Sequence, residues 1–284
     1  MARNETEQVR HLQRTLYRTA KQSQAVKFYS LYDKVWRNDV LREAWRQVKA
    51  NRGAPGVDNE TIEGIESRGE EEGMLSRLQE QLRAKSYCFQ PVRRVDIPKP
   101  KGGTRPLGIA TVQDRVVQTA MKLVLEPIFE ADFHPCSYGY RPQRDAKMAS
   151  TAIRTDLYRG AWGVIEIDFR SYFTTIPHDK LIILIKQRVV DGSMLRLIKQ
   201  SLTVGIAYEG KVEPTTVGSR KGHRFRRSTA TSTLTCWTRC GTSGATRRNG
   251  GPHCTATLMM RFSFAARAVR MLFRHSRLSH HGWG

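Results

Sequence analysis

The run Trp-Gly-Val-Ile-Glu-Ile-Asp-Phe-Arg-Ser-Tyr-Phe at residues 162–173 sets the tightest limit on how this chain folds. Val164, Ile165 and Ile167 favour a pleated, half-buried strand. Side chains alternate along a strand, so Glu166 and Asp168 belong to one face. A carboxylate at the end of a buried strand is costly unless a cation meets it. Two readings meet that requirement. Asp168 is a metal ligand, or it is a salt-bridged or capping aspartate.

Charge narrows the class of partner. The formal net charge of +22 over 284 residues points to nucleic acid. The charge is unevenly spread: no Asp follows Asp191, no Glu follows Glu213, and from Ser219 onward there are 13 Lys and Arg and no acid. The length suits roughly two domains. With no signal peptide and no long apolar run, a cytoplasmic protein without a membrane span is expected. The five cysteines, Cys88, Cys136, Cys236, Cys240 and Cys254, are odd in number and irregular in spacing, which suits a reducing compartment.

Along the chain, residues 1–50 read as basic and helical. Val26, Tyr29, Leu31, Tyr32, Val35 and Trp36 recur at helical spacing, and Asp39 is placed to cap the next helix. The interleaved Lys and Arg either follow a phosphate backbone or line a solvated face. Lys-Ala-Asn-Arg-Gly-Ala-Pro-Gly-Val-Asp at 49–58 stops the helix in a specific turn. A helical pattern returns over 61–81, with Glu70, Glu71 and Glu72 read as a solvated loop. Alternation over 87–97, a Pro-Lys-Pro-Lys-Gly-Gly turn and a returning strand over 104–109 make a hairpin, with Lys99, Lys101 and Arg105 near its tip. Such a cluster suits a triphosphate, although basic hairpin tips are often only solubilising. Further helices are expected over 114–129, 145–158, from Pro177, and over 195–202. Residues 208–211 are read as a hairpin turn. His134 and Cys136 lack a second pair at ligand spacing, so a turn is expected there rather than a metal site.

These pieces together resemble the reverse transcriptases encoded by bacterial group II introns. The resemblance runs from about Phe28 to Gly218. It rests on the 49–58 motif, Ile97-Pro98-Lys99-Pro100, Arg105-Pro106-Leu107-Gly108-Ile109, Asp114-Arg115, Ser137-Tyr138-Gly139-Tyr140-Arg141-Pro142, and Ile167-Asp168 through Phe173 and His178. It implies an α+β right-hand polymerase: a helical extension over 1–50, fingers over 51–130 and a partial palm over 131–218. Asp168 matches the first catalytic aspartate, a ligand of two Mg2+ ions. Lys99 and Arg105 match the residues that grip the incoming deoxynucleoside triphosphate. Phe173 matches the bulky side chain that excludes a ribose 2′-hydroxyl. The implied partners are an intron RNA template and a DNA primer. Thr174 departs from the family, where an Asp usually follows the aromatic pair.

The resemblance stops where more carboxylates are needed. Two dications roughly 4 Å apart require several acidic ligands. The family supplies two in a Tyr-Ala-Asp-Asp hairpin downstream of a Pro-Gln-Gly loop, and this chain spells neither. The genetic code offers a reason. Met259 and Met260 must both be ATG, so the triplet across their junction is GAT, an Asp codon. If Leu258 ends in G, the preceding junction is also GAT, and Ala256 and Thr257 permit Tyr and Ala before it. The same shift over residues 219–228 permits Pro-Gln-Gly-Ser-Pro-Ile-Ser-Pro-Leu. Loss of one base near Gly218 and Ser219 therefore accounts for the acid-free tail. On this reading residues 219–284 are out of frame, disordered or incidentally helical around 265–273, and Cys236, Cys240, His253 and Cys254 are a coincidence rather than a zinc site. The expected function is RNA-directed DNA synthesis by family, with this copy inactive. The alternatives are a residual intron RNA-binding fragment and a non-functional pseudogene product.

Overall fold

The computed structural model describes residues 2–98, 100, 102–160, 163–168, 175–208, 211–213, 257–263 and 266–273. The chain divides into two compact units, Met1–Asp132 with Ser171–Ser232, and Phe133–Arg170 with Thr233–Gly284.

In the first unit, helices α1 (Ala2–Gln22), α3 (Asn38–Ala50) and α6 (Val112–Glu130) pack on one another around an apolar core. α6 lies at its centre because both sides of the helix are apolar: Val116, Val117, Ala120, Met121, Val124, Leu125 and Ile128 are all fully buried. Val9, Leu12, Leu16 and Ala20 of α1 and Val40, Leu41, Ala44 and Val48 of α3 close over it. Pro127 within α6 has no N–H to give to the carbonyl four residues back. The Leu123 carbonyl thus freed accepts a bond from the Gln13 amide of α1, at 3.1 Å.

The expected helix across residues 26–36 shrinks to the four-residue α2 (Tyr32–Val35). The residues before it have other partners. Phe28 forms a parallel bridge with Val189, and the Leu31 and Tyr32 amides donate to Asp191. Asp39 does not cap α3. Arg37 holds the cap position, and its guanidinium grips the buried Asp39 at 2.7 and 3.0 Å. The pattern over 61–81 divides into α4 (Ile62–Ser67), capped by Thr61, and α5 (Glu71–Arg83). Of the acidic run, only Glu70 stays outside a helix, exposed at the cap position of α5. Glu71 begins α5 and accepts from the Trp45 indole, and Glu72 pairs with Arg42.

β1 (Val92–Pro98) and β2 (Thr104–Ile109) form the expected antiparallel hairpin, with Ile97 opposite Arg105 and Pro98 opposite Thr104. Gly102 and Gly103 turn it at φ of 85° and 77°, where only glycine is unstrained. β1 also pairs in parallel with β4 (Ile206–Tyr208), which β5 (Lys211–Glu213) flanks. The sheet order is β2-β1-β4-β5. Arg94 of β1 lies over the Tyr208 ring, 4.5 Å from its centroid. α8 (His178–Lys186) and α9 (Gly192–Thr203) complete the unit.

Where α8 ends, two charged residues fasten the N-terminal segment. Arg188 donates to the Ala20, Ser23 and Val26 carbonyls and lies 3.0 Å from Asp132. Asp191 accepts from the amides of Leu31, Tyr32, Ser193 and Met194, capping α9 while holding residues some 160 positions earlier in sequence.

The second unit contains α7 (Ala146–Tyr158), capped by Asp145, and a three-stranded antiparallel sheet in the order β3-β7-β6. Its strands are β3 (Gly163–Asp168), β6 (Thr257–Ser263) and β7 (Ala266–Phe273). The incidental helix expected around 265–273 is thus replaced by strand β7. Val269 and the aromatic Phe273 favour a strand, and the short apolar run over 271–273 suits either element. Among the described residues, no helix is long and apolar enough to cross a membrane.

Candidate active site

Of the residues named from sequence, Arg105 lies on β2 opposite Ile97, and Asp168 is the last residue of β3. Lys99 and Phe173 lie outside the described residues, as do Lys101 and Thr174. Arg105 belongs to the first unit and Asp168 to the second.

In the first unit, the 49–58 motif docks on the N-terminus of α6. Thr111 caps that helix, accepting from the Asp114 amide at 3.1 Å, in a Thr-x-x-Asp spacing that sequence alone can disclose. Arg115 donates to the Ala54 carbonyl at 3.0 Å. A Cβ on Gly53 would stand 2.5 Å from the Arg115 guanidinium, and one on Gly56 would stand 2.7 Å from the Thr111 backbone. Gly56 is therefore required by close approach to backbone, whereas at Gly53 the neighbour is the movable head of Arg115. Asp114 is buried, and accepts from the Tyr87 hydroxyl at 2.6 Å and from the Gln90 amide at 3.1 Å.

Burial pushes the Asp114 carboxyl up to about 6, against the pull of its hydrogen bonds. Between its ordinary value of 3.8 and about 6, the folded chain keeps a proton that the unfolded chain has released. This group's contribution to stability therefore falls as pH rises through that window. Asp114→Asn is expected to flatten the change in stability across it, as measured by urea unfolding of the variant and the parent at a series of pH values.

In the second unit, the segment around His134 is the turn the sequence suggests. Arg141 donates to the His134 and Ser137 carbonyls at 2.9 and 2.8 Å and lies over the Phe133 ring. His134 Nδ1 is 2.7 Å from Cys136 Sγ. Burial pushes the Cys136 thiol up to about 11, so it is not a ready thiolate ligand. Among the described residues, no group of three or more His, Cys, Asp or Glu could hold a metal ion.

The donor set beside Asp168 does not fit a two-magnesium site. β3 pairs with β7, which places Ala268 opposite Asp168 and Arg270 opposite Glu166. β6 and β7 contain no Asp or Glu and include Arg261, Arg267 and Arg270. Two Mg2+ ions require several anionic oxygens, and within this sheet only Glu166 and Asp168 of β3 bear carboxylates. The tail strands add none.

Comparison with known proteins gives the lineage. The family profile described as Reverse transcriptase (RNA-dependent DNA polymerase) matches residues 97–235, a stretch that includes Arg105, all of α6, and Asp168. Protein YkfC of Escherichia coli strain K12 is 35% identical over 204 residues, 69% of this chain and 53% of that protein. The group II intron-encoded protein LtrA of Lactococcus lactis subsp. cremoris is 32% identical over 198 residues, 69% of this chain and 32% of that protein. An uncharacterised 91 kDa protein in the cob intron of Schizosaccharomyces pombe is 32% identical over 186 residues, 65% of this chain and 22% of that protein. The chain thus spans about half, or less, of the length of these relatives. A solved structure described as a partial Cas6-RT-Cas1–Cas2 complex shares the fold, with a TM-score of 0.52 at 19% identity over 87% of this chain and 39% of that one. Residues 97–235 thus match the reverse transcriptase family, and the chain is similar to a group II intron-encoded protein over 69% of its own length.

Proposed function

We propose that the ancestral activity of this chain is RNA-templated DNA synthesis with splicing assistance to a parent group II intron, and that the chain as it stands does not polymerise. One observation carries the reading. The family match includes Asp168 at the end of β3, yet the strands beside β3 contribute no further carboxylate. In the family reaction, Lys99 and Arg105 would hold the triphosphate of a deoxynucleotide, and Phe173 would reject the ribose 2′-hydroxyl. The substrates would be an RNA template, a DNA primer and deoxynucleoside triphosphates. Primer extension on an RNA template is expected to give no product with this chain. Asp168-dependent product would refute the reading.

A second reading, a residual RNA-binding fragment, is favoured by the surface of α1. Arg10, Arg14 and Arg18 are exposed and recur every four residues along one face, in steps of about 6 Å. Val9, Leu12 and Leu16 bury the other face. Replacing the three arginines by Ala in the full chain is expected to weaken RNA binding and to reduce the logarithmic salt slope by roughly two. An unchanged slope in filter binding would leave the affinity to the basic tail.

A further inference from the structure

The sheet around Asp168 carries an inverted charge pattern. Across its strands, one row of the register reads Asp168, Ala268, Arg261, and the row two residues away reads Glu166, Arg270, Met259. Each carboxylate of β3 therefore shares its row with an arginine, one strand away for Glu166 and two strands away for Asp168. The tail from Thr257 to Phe273 contains Arg261, Arg267 and Arg270 and no acid, so no choice of register within it could supply an oxyanion.

From this arrangement we infer that β7 closes the palm strand as a cation-compensated sheet, and that Asp168 takes up no divalent ion in this chain. The physical reason is electrostatic. A Mg2+ site gains its affinity from the number of anionic oxygens around it, and each fixed positive charge nearby opposes the ion. With an arginine position in the row of each carboxylate, the local charge that would attract a first dication is reduced, and a second would also be repelled by the first. β7 occupies one pairing edge of β3 and brings no carboxylate to it. The inference rests on Asp168 marking the polymerase site.

The test is titration of the full chain with Mn2+, read as loss of the free-ion electron paramagnetic resonance signal, alongside a thermal melt with and without Mg2+. The chain and its Asp168→Asn variant are expected to give superimposable isotherms and the same Mg2+ response in the melt. A site present in the parent and absent from Asp168→Asn would overturn the inference. The double variant Ala268→Asp with Arg270→Glu puts carboxylates at the positions opposite Asp168 and Glu166. It is expected to gain Mn2+ affinity roughly tenfold or more, and to lose it again on Asp168→Asn. A double variant that melts cooperatively yet gains nothing would overturn the assigned register. If it fails to melt cooperatively, the comparison of the parent with Asp168→Asn still decides. A chain with the reading frame restored after Gly218 separates the two claims. If it fails to extend a primer, the polymerase reading falls while the metal result for the present chain stands.

Discussion

Replacing Arg188 with Met is expected to lower stability by about 3–5 kcal/mol, the cost of breaking a buried ion pair by removing one partner. Arg188 and Asp132 side chains are only 4% and 7% exposed. The same guanidinium satisfies the carbonyls of Ala20, Ser23 and Val26, at and just beyond the end of α1. Met fills much of the volume and supplies none of the donors. The loss is therefore one of hydrogen bonds and charge rather than of packing. Urea unfolding of the two proteins measures it. Adding Asp132→Leu to Arg188→Met should recover part of the loss, because a buried pair exchanged for apolar groups of similar size costs far less than a broken one. A loss below about 1 kcal/mol for the single variant would mean that water reaches this clamp.

Asp191→Ala should cost about 3 kcal/mol, through the amides of Leu31, Tyr32, Ser193 and Met194 that its carboxylate now accepts from. Asp191→Asn keeps one acceptor oxygen and should lose about half as much. The pH dependence has a definite sign. Partial burial raises the Asp191 carboxyl, but the four amide bonds outweigh it and hold the group below its ordinary value of 3.8. A depressed folded value contributes stability that is fully present above the ordinary carboxylate range and is lost as pH falls through the folded value. The gap between parent and variant should thus be constant near neutrality and should narrow below about pH 4. A gap of the same size at pH 2 would remove the carboxylate's charge from the explanation.

Both predictions concern residues that no motif singled out, and the reason is instructive. Arg188 and Asp191 act on partners about 160 to 170 positions earlier in the chain, or on Asp132, and none of these long-range pairings leaves a local pattern. Local patterns were legible. The hairpin over β1 and β2, the amphipathic α6, the helices from Asp145 and Pro177, and the strand ending in Asp168 all follow from periodicity and turn residues read over short windows. Where a long-range partner competed with a local preference, the local reading failed. Residues 26–36 have helical spacing, yet Phe28 pairs with Val189 and leaves only α2 helical. The run Glu70, Glu71 and Glu72 looks like a solvated loop, yet Trp45 and Arg42 draw Glu71 and Glu72 into α5.

The candidate site divides in the same way. Sequence by itself disclosed the likeness to reverse transcriptases, because order and spacing of short motifs are one-dimensional facts. It also determined that the tail adds no carboxylate beside Asp168, because the chain has no Asp or Glu after Glu213. Tertiary structure alone decided what stands beside Asp168. Strand pairing is set by register between distant segments, and it placed Ala268 and Arg270 opposite Asp168 and Glu166. It also decided that the 49–58 motif rests on Thr111 and Arg115, because close approach of a glycine to another backbone can be seen only once both chains are in place.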